Sequence, residues 1–518
     1  MSKINPTFGN LGKLKTKKNQ NDEVPNNSIV ISHGEIFNRL LEQIEPLDFE
    51  SLVYPETSQL KKKIKDNPKS EKIEDFIKAI NKNKIAVKHY LIVCIEYLLK
   101  IAKKNHWGLC KNNDFIYLFN GAFWEEIEPD RFQSFLGKAA QNMGISKYTA
   151  KYYQFKEQLY KQFLSEAYLP SPDSNNDLVL VNLMNGTFEI TPQKTKLRNF
   201  KRSDFITYQL PFEYDKNAES PTFFKYLNRV LPDEECQKVL AEYIGYIFIK
   251  HGNKTLKEEK ALILYGTGAN GKSVFFEILN ALLGEENFSS YSLQSITNES
   301  GYHRAKLANK LVNYASEING NLEASIFKQM VSGEPVEARL PYGQPLILRQ
   351  YAKLIFNCND LPKDVEHTNA YFRRFLIIPF NVTIPEKEQD KNLHTKIIEN
   401  ELSGVFNWVL EGLKRLLEQK HFSDCKAAQQ ALKQYKTESN SINIFLEESE
   451  YQKSSEKYLR IKELYPEYKE FCIEDGMRPF SKRNFSKQLK ELGFHLERES
   501  GTGQNIVYIK KNGNKKSL

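Results

Sequence analysis

KALILYGTGANGKSVFFEILNALL, from Lys260 to Leu283, is the stretch that decides how this chain is read. Ala261 to Tyr265 is an apolar run of strand length, and Gly266 to Ser273 then fits G-x-x-x-x-G-K-[ST], the phosphate-binding loop. Val274, Phe275, Ile278, Leu279 and Leu282 recur at helical spacing, and Gly284 stands where that helix must stop. A triphosphate needs this order. Glycines let successive backbone N–H groups face an anion, and the helix that follows adds its positive N-terminal end. Gly266, Thr267, Gly268, Ala269, Asn270 and Gly271 then cradle phosphates, Lys272 reaches the β- and γ-phosphates, and the Ser273 hydroxyl completes a Mg²⁺ shell. ATP and Mg²⁺ are the expected cofactors.

At 518 residues the chain is too long for one hydrophobic core, so several domains are expected. Its 40% hydrophobic and 27% charged residues are ordinary for soluble protein. No apolar run approaches the roughly 18 residues of a membrane helix, and the N-terminus lacks a signal-peptide core. A cytoplasmic protein with no membrane partner is expected. The six cysteines, Cys94, Cys110, Cys236, Cys358, Cys425 and Cys472, are scattered without a C-x-x-C pair, which argues against disulfides and a zinc ribbon. The net charge of +9 points to nucleic acid because the basic residues are concentrated in particular places.

Residues 1–30, with Lys13, Lys15, Lys17 and Lys18 among Asn, Gly and Pro, read as a disordered basic arm. Residues 31–215 read as a mixed α+β domain. Ser32 caps an amphipathic pattern (Ile36, Leu40, Leu41, Ile44), helical spacing resumes between Ile73 and Ile101, and Phe115 to Trp124 forms a hairpin around Asn120-Gly121. Leu178 to Leu183 is a further strand. With no Asp-x-Asp pair and no cysteine cluster, this region shows no nucleotidyl-transfer centre. Tyr208 to Pro221 is rich in turn formers and reads as a linker. Two amphipathic helices follow, over 223–230 and 234–249.

Three pieces lie downstream of the glycine loop. KLVNYASE, Lys310 to Glu317, is an apolar strand delivering a carboxylate that can hold Mg²⁺ through water and orient the attacking water. YAKLIFNCNDLP, Tyr351 to Pro362, is a strand ending in amides; Asn357 and Asn359 compete to sense the γ-phosphate. YFRRFLIIPF, Tyr371 to Phe380, sets Arg373 and Arg374 just before a buried strand, where an arginine can neutralise charge in a neighbouring active site.

The order GTGANGKS, NYASE, FNCNDLP, YFRRF resembles the superfamily 3 helicase core of phage and plasmid primase-helicases, the group that includes the poxvirus primase-helicase and satellite-phage replication proteins. Phe327 to Gly343 resembles that family's DNA-gripping β-hairpin. Val181–Phe188 and Ile206–Asp215 are similar to its helicase-associated domain, and Ser403–Trp408 with Gly412–Leu416 to its post-core helices. The resemblance spans roughly residues 110 to 420 and implies a P-loop, AAA+-like ATPase domain over 221–435. It makes Lys272, Glu317 and Asn359 catalytic, with Glu317 joining Ser273 at the metal. It makes Arg373 or Arg374 a finger supplied in trans, hence a homo-oligomer, a hexamer by family habit. It assigns Lys328, Arg339 and the turn near Tyr342 to Gln344 to DNA in the pore. Two departures stand out: Ser316-Glu317 replaces the paired acids of many members, and no upstream primase domain is seen.

From Thr437 to Ser441 the composition shifts to a polar linker, and 442–518 reads as a winged helix. Its recognition helix is 481–492, capped by Ser481, with Phe485, Leu489 and Leu492 inward and Lys482, Arg483, Lys487 and Lys490 free for DNA. The whole is a multidomain α/β chain: an α+β N-terminal domain, the ATPase core and the winged helix. The expected activity is ATP-dependent unwinding during replication of a phage, plasmid or other mobile element. Single-stranded and forked DNA are its partners, with a separate primase or polymerase as a further one. A replication initiator whose ATPase switches origin assembly, a primase-helicase with an unrecognised priming site, and a scaffold that keeps the nucleotide fold only to oligomerise are the competing readings.

Overall fold

Among the described residues, apolar strand segments too short to cross a domain alone are assembled into a five-stranded parallel sheet and four smaller antiparallel ones. The computed structural model describes residues 31–68, 71–112, 115–167, 178–253, 256–316, 318, 323–340, 344–362 and 366–512. The expected basic arm, Glu317, Tyr342 and Gly343 lie outside the described residues. The chain divides into two units: Met1–Pro172 with Arg198–Thr207, and Asp173–Leu197 with Tyr208–Leu518.

In the first unit, strands β1 (Gly108–Asn112), β2 (Phe115–Phe119) and β3 (Trp124–Ile127) make an antiparallel sheet. Asn120-Gly121 turns the β2–β3 hairpin as expected. Gly121 sits at φ 104°, and the Asn120 Oδ1 accepts the N–H groups of Ala122 and Phe123. β1 escapes sequence reading because Gly, Lys and Asn interrupt its short apolar pattern. Helices His33–Glu42, Val87–Lys104, Pro129–Asn142 and Tyr153–Glu166 bury Ile36, Ile95, Leu98, Phe132, Phe135 and Phe163 in one core. Residues 198–207 return to this sheet, where the Trp124 indole donates to the Arg202 carbonyl at 3.0 Å.

The second unit begins with β4 (Val179–Leu183), β5 (Gly186–Ile190) and β6 (Thr195–Arg198). The sequence reading put these strands in the N-terminal domain. Instead Val179, Val181, Leu183 and Phe188 join the core of the second unit, beside Leu210 and Phe223. Nor is Tyr208–Pro221 a free linker: the Leu210 N–H donates to the Asn182 carbonyl at 2.8 Å and the Met184 N–H to that of Phe212. Its turn formers are real, but buried Leu210 pins the segment along β4.

The parallel sheet has the order β13-β7-β12-β9-β8, with β7 at Ala261–Tyr265, β8 at Phe288–Ser289, β9 at Val312–Ala315, β12 at Lys353–Cys358 and β13 at Phe375–Pro379. Near-continuous apolar runs fit strands covered on both faces. Between β9 and β12 the chain makes a separate hairpin, β10 (Val336–Arg339) with β11 (Pro345–Leu348). The 27-residue helix Leu393–Gln419 packs on helices Pro221–Val230, Glu234–Tyr246 and Lys272–Leu283. It comes so close to the second of these that a Cβ on Gly412 would lie 2.4 Å from the Ala241 carbonyl carbon. Beside this crossing, fully buried Glu242 accepts from Arg415 Nε at 2.6 Å and from the Ser423 N–H at 2.8 Å.

The C-terminal part has helices Ser441–Glu448, Ile461–Glu474 and Lys482–Glu491 and an antiparallel sheet of order β14-β16-β15, where β14 is Tyr451–Arg460, β15 Leu496–Arg498 and β16 Asn505–Lys511. The polar linker expected at 437–441 is instead the end of helix Lys426–Glu438 and the cap of the next one. Ser439 and Asn440 are buried, and the Asn440 side chain accepts from the Ile442 N–H. β14 is polar enough (YQKSSEKYLR) to hide from periodicity, because only Tyr451 along it is buried.

One buried lysine weighs against stability. Lys353 is nearly enclosed, with Nζ 3.2 Å from His251 Nδ1 and 4.2 Å from the Tyr246 ring centroid. Burial pulls its pKa from 10.5 down to about 7. Between those values the unfolded chain holds the extra proton, so this group makes stability rise with pH across that window and lowers it below about 7. Lys353→Met should raise stability near neutrality by about 1 kcal/mol and flatten that rise. Thermal melts of both chains at pH 6.5 and 9 check this.

Candidate functional site

The glycine loop leaves the C-terminal end of β7, flanked by the C-terminal ends of β12 and β13, the crevice where open α/β sheets take ligands. Three residues hold the left-handed backbone that the turn requires: Gly268 at φ 113°, Ala269 at 49° and Gly271 at 84°. A Cβ on Gly266 would meet Phe380 O at 2.4 Å, and one on Gly271 would meet Val230 Cγ1 at 2.6 Å. Both glycines are therefore steric requirements as well as turn formers. Asn270, buried, donates from Nδ2 to the Phe380 carbonyl at 3.0 Å, and the Tyr226 hydroxyl donates to Gly271 O at 2.8 Å. The loop is thus fastened on two sides. Tyr226 and the anchoring role of Asn270 were not foreseen; no spacing in the sequence links them to their partners.

Lys272, at the start of its helix and 4% exposed, folds Nζ back over the loop. It donates to Gly266 O at 2.7 Å, Asn270 Oδ1 at 2.8 Å and Asn359 Oδ1 at 3.4 Å. Burial pulls its pKa below the usual lysine value. Asn359, exposed just past β12, therefore shares the crevice with Lys272, whereas Asn357 lies within β12. Thr267 and Ser273 are exposed at the rim. β9 ends at Ala315 beside β12, with Ser316 exposed just beyond it, and Glu317 lies outside the described residues.

The two arginines differ sharply. Arg374 has a 9% exposed side chain that donates to the Lys328 carbonyl at 3.2 Å and the Ser332 hydroxyl at 2.8 Å. Arg373 keeps 61% of its side chain exposed and pairs with Glu259 at 2.8 Å. Both precede β13. The Ala261 N–H at the start of β7 donates to Arg374 O, so both arginines stand at the opposite end of the sheet from the loop. At about 3.3 Å per residue the five residues of β7 put them about 15 Å from it. Neither can serve the loop of its own chain without a large movement.

Of the residues expected at DNA, Lys328 is engaged internally. Its Nζ donates to both Glu366 carboxylate oxygens, at 3.0 and 2.8 Å, so it is not a free pore cation in this arrangement. Arg339 is exposed at the end of β10 next to the hairpin tip. Gln344 is exposed on the other side of that tip. Lys482, Arg483, Lys487 and Lys490 are exposed along one helix whose Phe485 and Leu489 are fully buried, as the spacing required. Ser481 caps that helix, accepting from the Asn484 N–H.

Comparison with known proteins supports the resemblance read from the motifs. Residues 84–232 match a D5 N terminal like family model, 437–517 a Poxvirus D5 protein-like model, and 264–374, which hold the whole glycine loop and both arginines, a family of unknown function, DUF5906. A protein of Acanthamoeba polyphaga mimivirus described as a candidate helicase is 26% identical over 238 residues, covering 44% of this chain and 24% of its own length. One of Invertebrate iridescent virus 3, described likewise, is 23% identical over 243 residues, covering 41% and 24%. The chain thus aligns with about a quarter of either viral relative. Among solved structures, the apo C terminal region of NrS-1 is similar at a TM-score of 0.43, with 11% identity, over 81% of this chain and 99% of that one. The chain carries segments that match D5-like family models and is related to viral proteins described as candidate helicases. No helix among the described residues is long and apolar enough to cross a membrane.

Proposed function

We propose that this chain is a superfamily 3, ATP-dependent DNA helicase acting as a ring of identical subunits in the replication of a viral or other mobile genome. The observation that carries the reading is the fastened glycine loop at the strand ends, with the Lys272 ammonium 3.4 Å from Asn359 in the same crevice. The donor set fits a nucleotide and Mg²⁺: positive-φ backbone at Gly268, Ala269 and Gly271, a lysine, and an exposed Ser273 hydroxyl at a helix N-terminus. Backbone N–H groups of 266–271 and Lys272 hold the β- and γ-phosphates, and Ser273 with Glu317 holds the metal, which neutralises phosphate charge when bound. Glu317 orients and deprotonates the attacking water, and Asn359 positions it. Arg373, exposed at the far end of the sheet, reaches the phosphates of an adjacent subunit, while Arg374 holds the segment in shape.

The β10–β11 hairpin with Arg339 grips a single strand in the ring. The C-terminal part acts as a winged helix, with Lys482, Arg483, Lys487 and Lys490 meeting phosphates or base edges. Lys328 takes part in DNA binding only if Glu366 releases it.

The test is strand displacement on a forked duplex. Wild-type chain with ATP and Mg²⁺ should unwind it, and Arg373→Ala should lose about 10²-fold or more in both turnover and unwinding without a change in melting temperature. Turnover without unwinding would favour the origin-assembly switch. Unaltered turnover in Arg373→Ala would remove the ring.

A further inference from the structure

We infer a second single-stranded DNA site on the first unit, formed by exposed tyrosines interleaved with lysines at residues 147–156 (KYTAKYYQFK). Tyrosine is intermediate in burial in folded proteins, but here Tyr148 is 88% exposed and Tyr153 63%, with Tyr152 beside them at 49%. The fold forces this arrangement. Ser146 caps helix Lys147–Lys151, Ala150 is buried beneath it, and Phe155, Leu159 and Phe163 turn one face of the following helix Tyr153–Glu166 into the core. The three tyrosines are left outside. The rings of Tyr152 and Tyr153 lie 5.1 Å apart, edge to face, which offers aromatic surface to a base without first expelling a neighbour.

The segment that carries them is basic, with Asp130 and Glu157 as the acids that flank it. From Arg131 to Lys156 the chain carries Arg131, Lys138, Lys147, Lys151 and Lys156 and no acidic residue. Lys138, Lys147 and Lys151 are exposed and have no ion pair among the described residues. The stem of Lys156 lies over Gly137 of helix Pro129–Asn142, where a Cβ would be 3.1 Å from its Cδ. Glu157, the next acid along the chain, is already paired with Lys161 at 2.8 Å. Further along, Lys88 and the Glu157-paired Lys161 line a shallow cleft with Gln158 and Gln162. The first turn of helix Tyr153–Glu166 carries no side-chain cap among the described residues.

Aromatic faces for bases beside cations for the backbone are what sequence-tolerant single-strand binding requires. Duplex DNA, with its bases stacked inside, uses only the cations. The choice of DNA as ligand rests on the helicase reading; the site itself does not depend on nucleotide.

The test uses the full chain without ATP. A 20-nucleotide oligomer carrying bromodeoxyuridine, irradiated with the protein, should give adducts within 147–156 by peptide mass mapping. Tyr148→Ala with Tyr153→Ala should weaken binding of oligo-dT by about tenfold, while the double Phe variant binds like wild type because stacking survives. Lys147→Glu with Lys151→Glu should weaken binding and flatten its salt dependence. Adducts only elsewhere, equal binding by the alanine pair, or equal loss in the phenylalanine pair each overturn the site. A chain that hydrolyses no ATP yet shows these adducts and losses would sink the helicase reading and leave this site standing.

Discussion

On the proposed function, Lys272→Ala is expected to cut ATP turnover by at least about 10²-fold, since the residue would supply a buried positive charge where charge develops on the transferred phosphoryl group. The fold should tolerate the change. Alanine suits the first turn of a helix, and Asn270 keeps its bond to the Phe380 carbonyl after the ammonium is gone. Gly266 O and Asn270 Oδ1, both buried, and the Oδ1 of exposed Asn359 each lose one donor, and the space left by the lysine side chain gives water a way to the two buried oxygens. Phosphate release assayed beside a thermal melt separates the two effects. Wild-type turnover in the variant would move the nucleotide to another place in the molecule.

Gly412→Val should be the most damaging single change to stability, costing about 3 kcal/mol or more. The helix containing Gly412 presses on Ala241 and Glu242, and Gly245 repays the contact on Leu413, where its own missing Cβ would lie 2.6 Å away. Backbone occupies the space on both sides, so no rotamer change relieves the overlap, and separating the helices exposes the Glu242–Arg415 pair. Gly476→Ala provides the contrast. That residue has φ 68° but nothing within 4 Å, and its cost should stay near about 1 kcal/mol of backbone strain. Urea titrations of the two variants against wild type measure the difference.

What the sequence made legible was local. The glycine loop, its strand and its helix are contiguous, as are the Asn120-Gly121 hairpin and the Phe485/Leu489 face, and each was read within a few residues of where it lies. What it hid was juxtaposition. Asn359 and Asn357 look equally good in a strand-end amide pattern, yet only Asn359 meets Lys272, 87 positions away. Arg373 and Arg374 are neighbours of one kind, and they part because Ser332 and the Lys328 carbonyl enclose one of them. Lys328 looked like a free cation because Glu366, its partner, lies 38 positions on. The assignment of β4 and β5 failed for the same reason. A strand pair carries no mark of the core it joins, and contact with Leu210 and Phe223 decided it.

The helix Leu393–Gln419 has a mechanical meaning. It is clamped at once to the helix that begins at Lys272 and to both helices that precede β7, and at the crossing with Glu234–Tyr246 the main chains touch without side chains between them. Such a joint does not slide. On the proposed function, a push arising at the mouth of the crevice would leave this block rigid, and the bending would fall to pieces outside it, the β10–β11 arm among them.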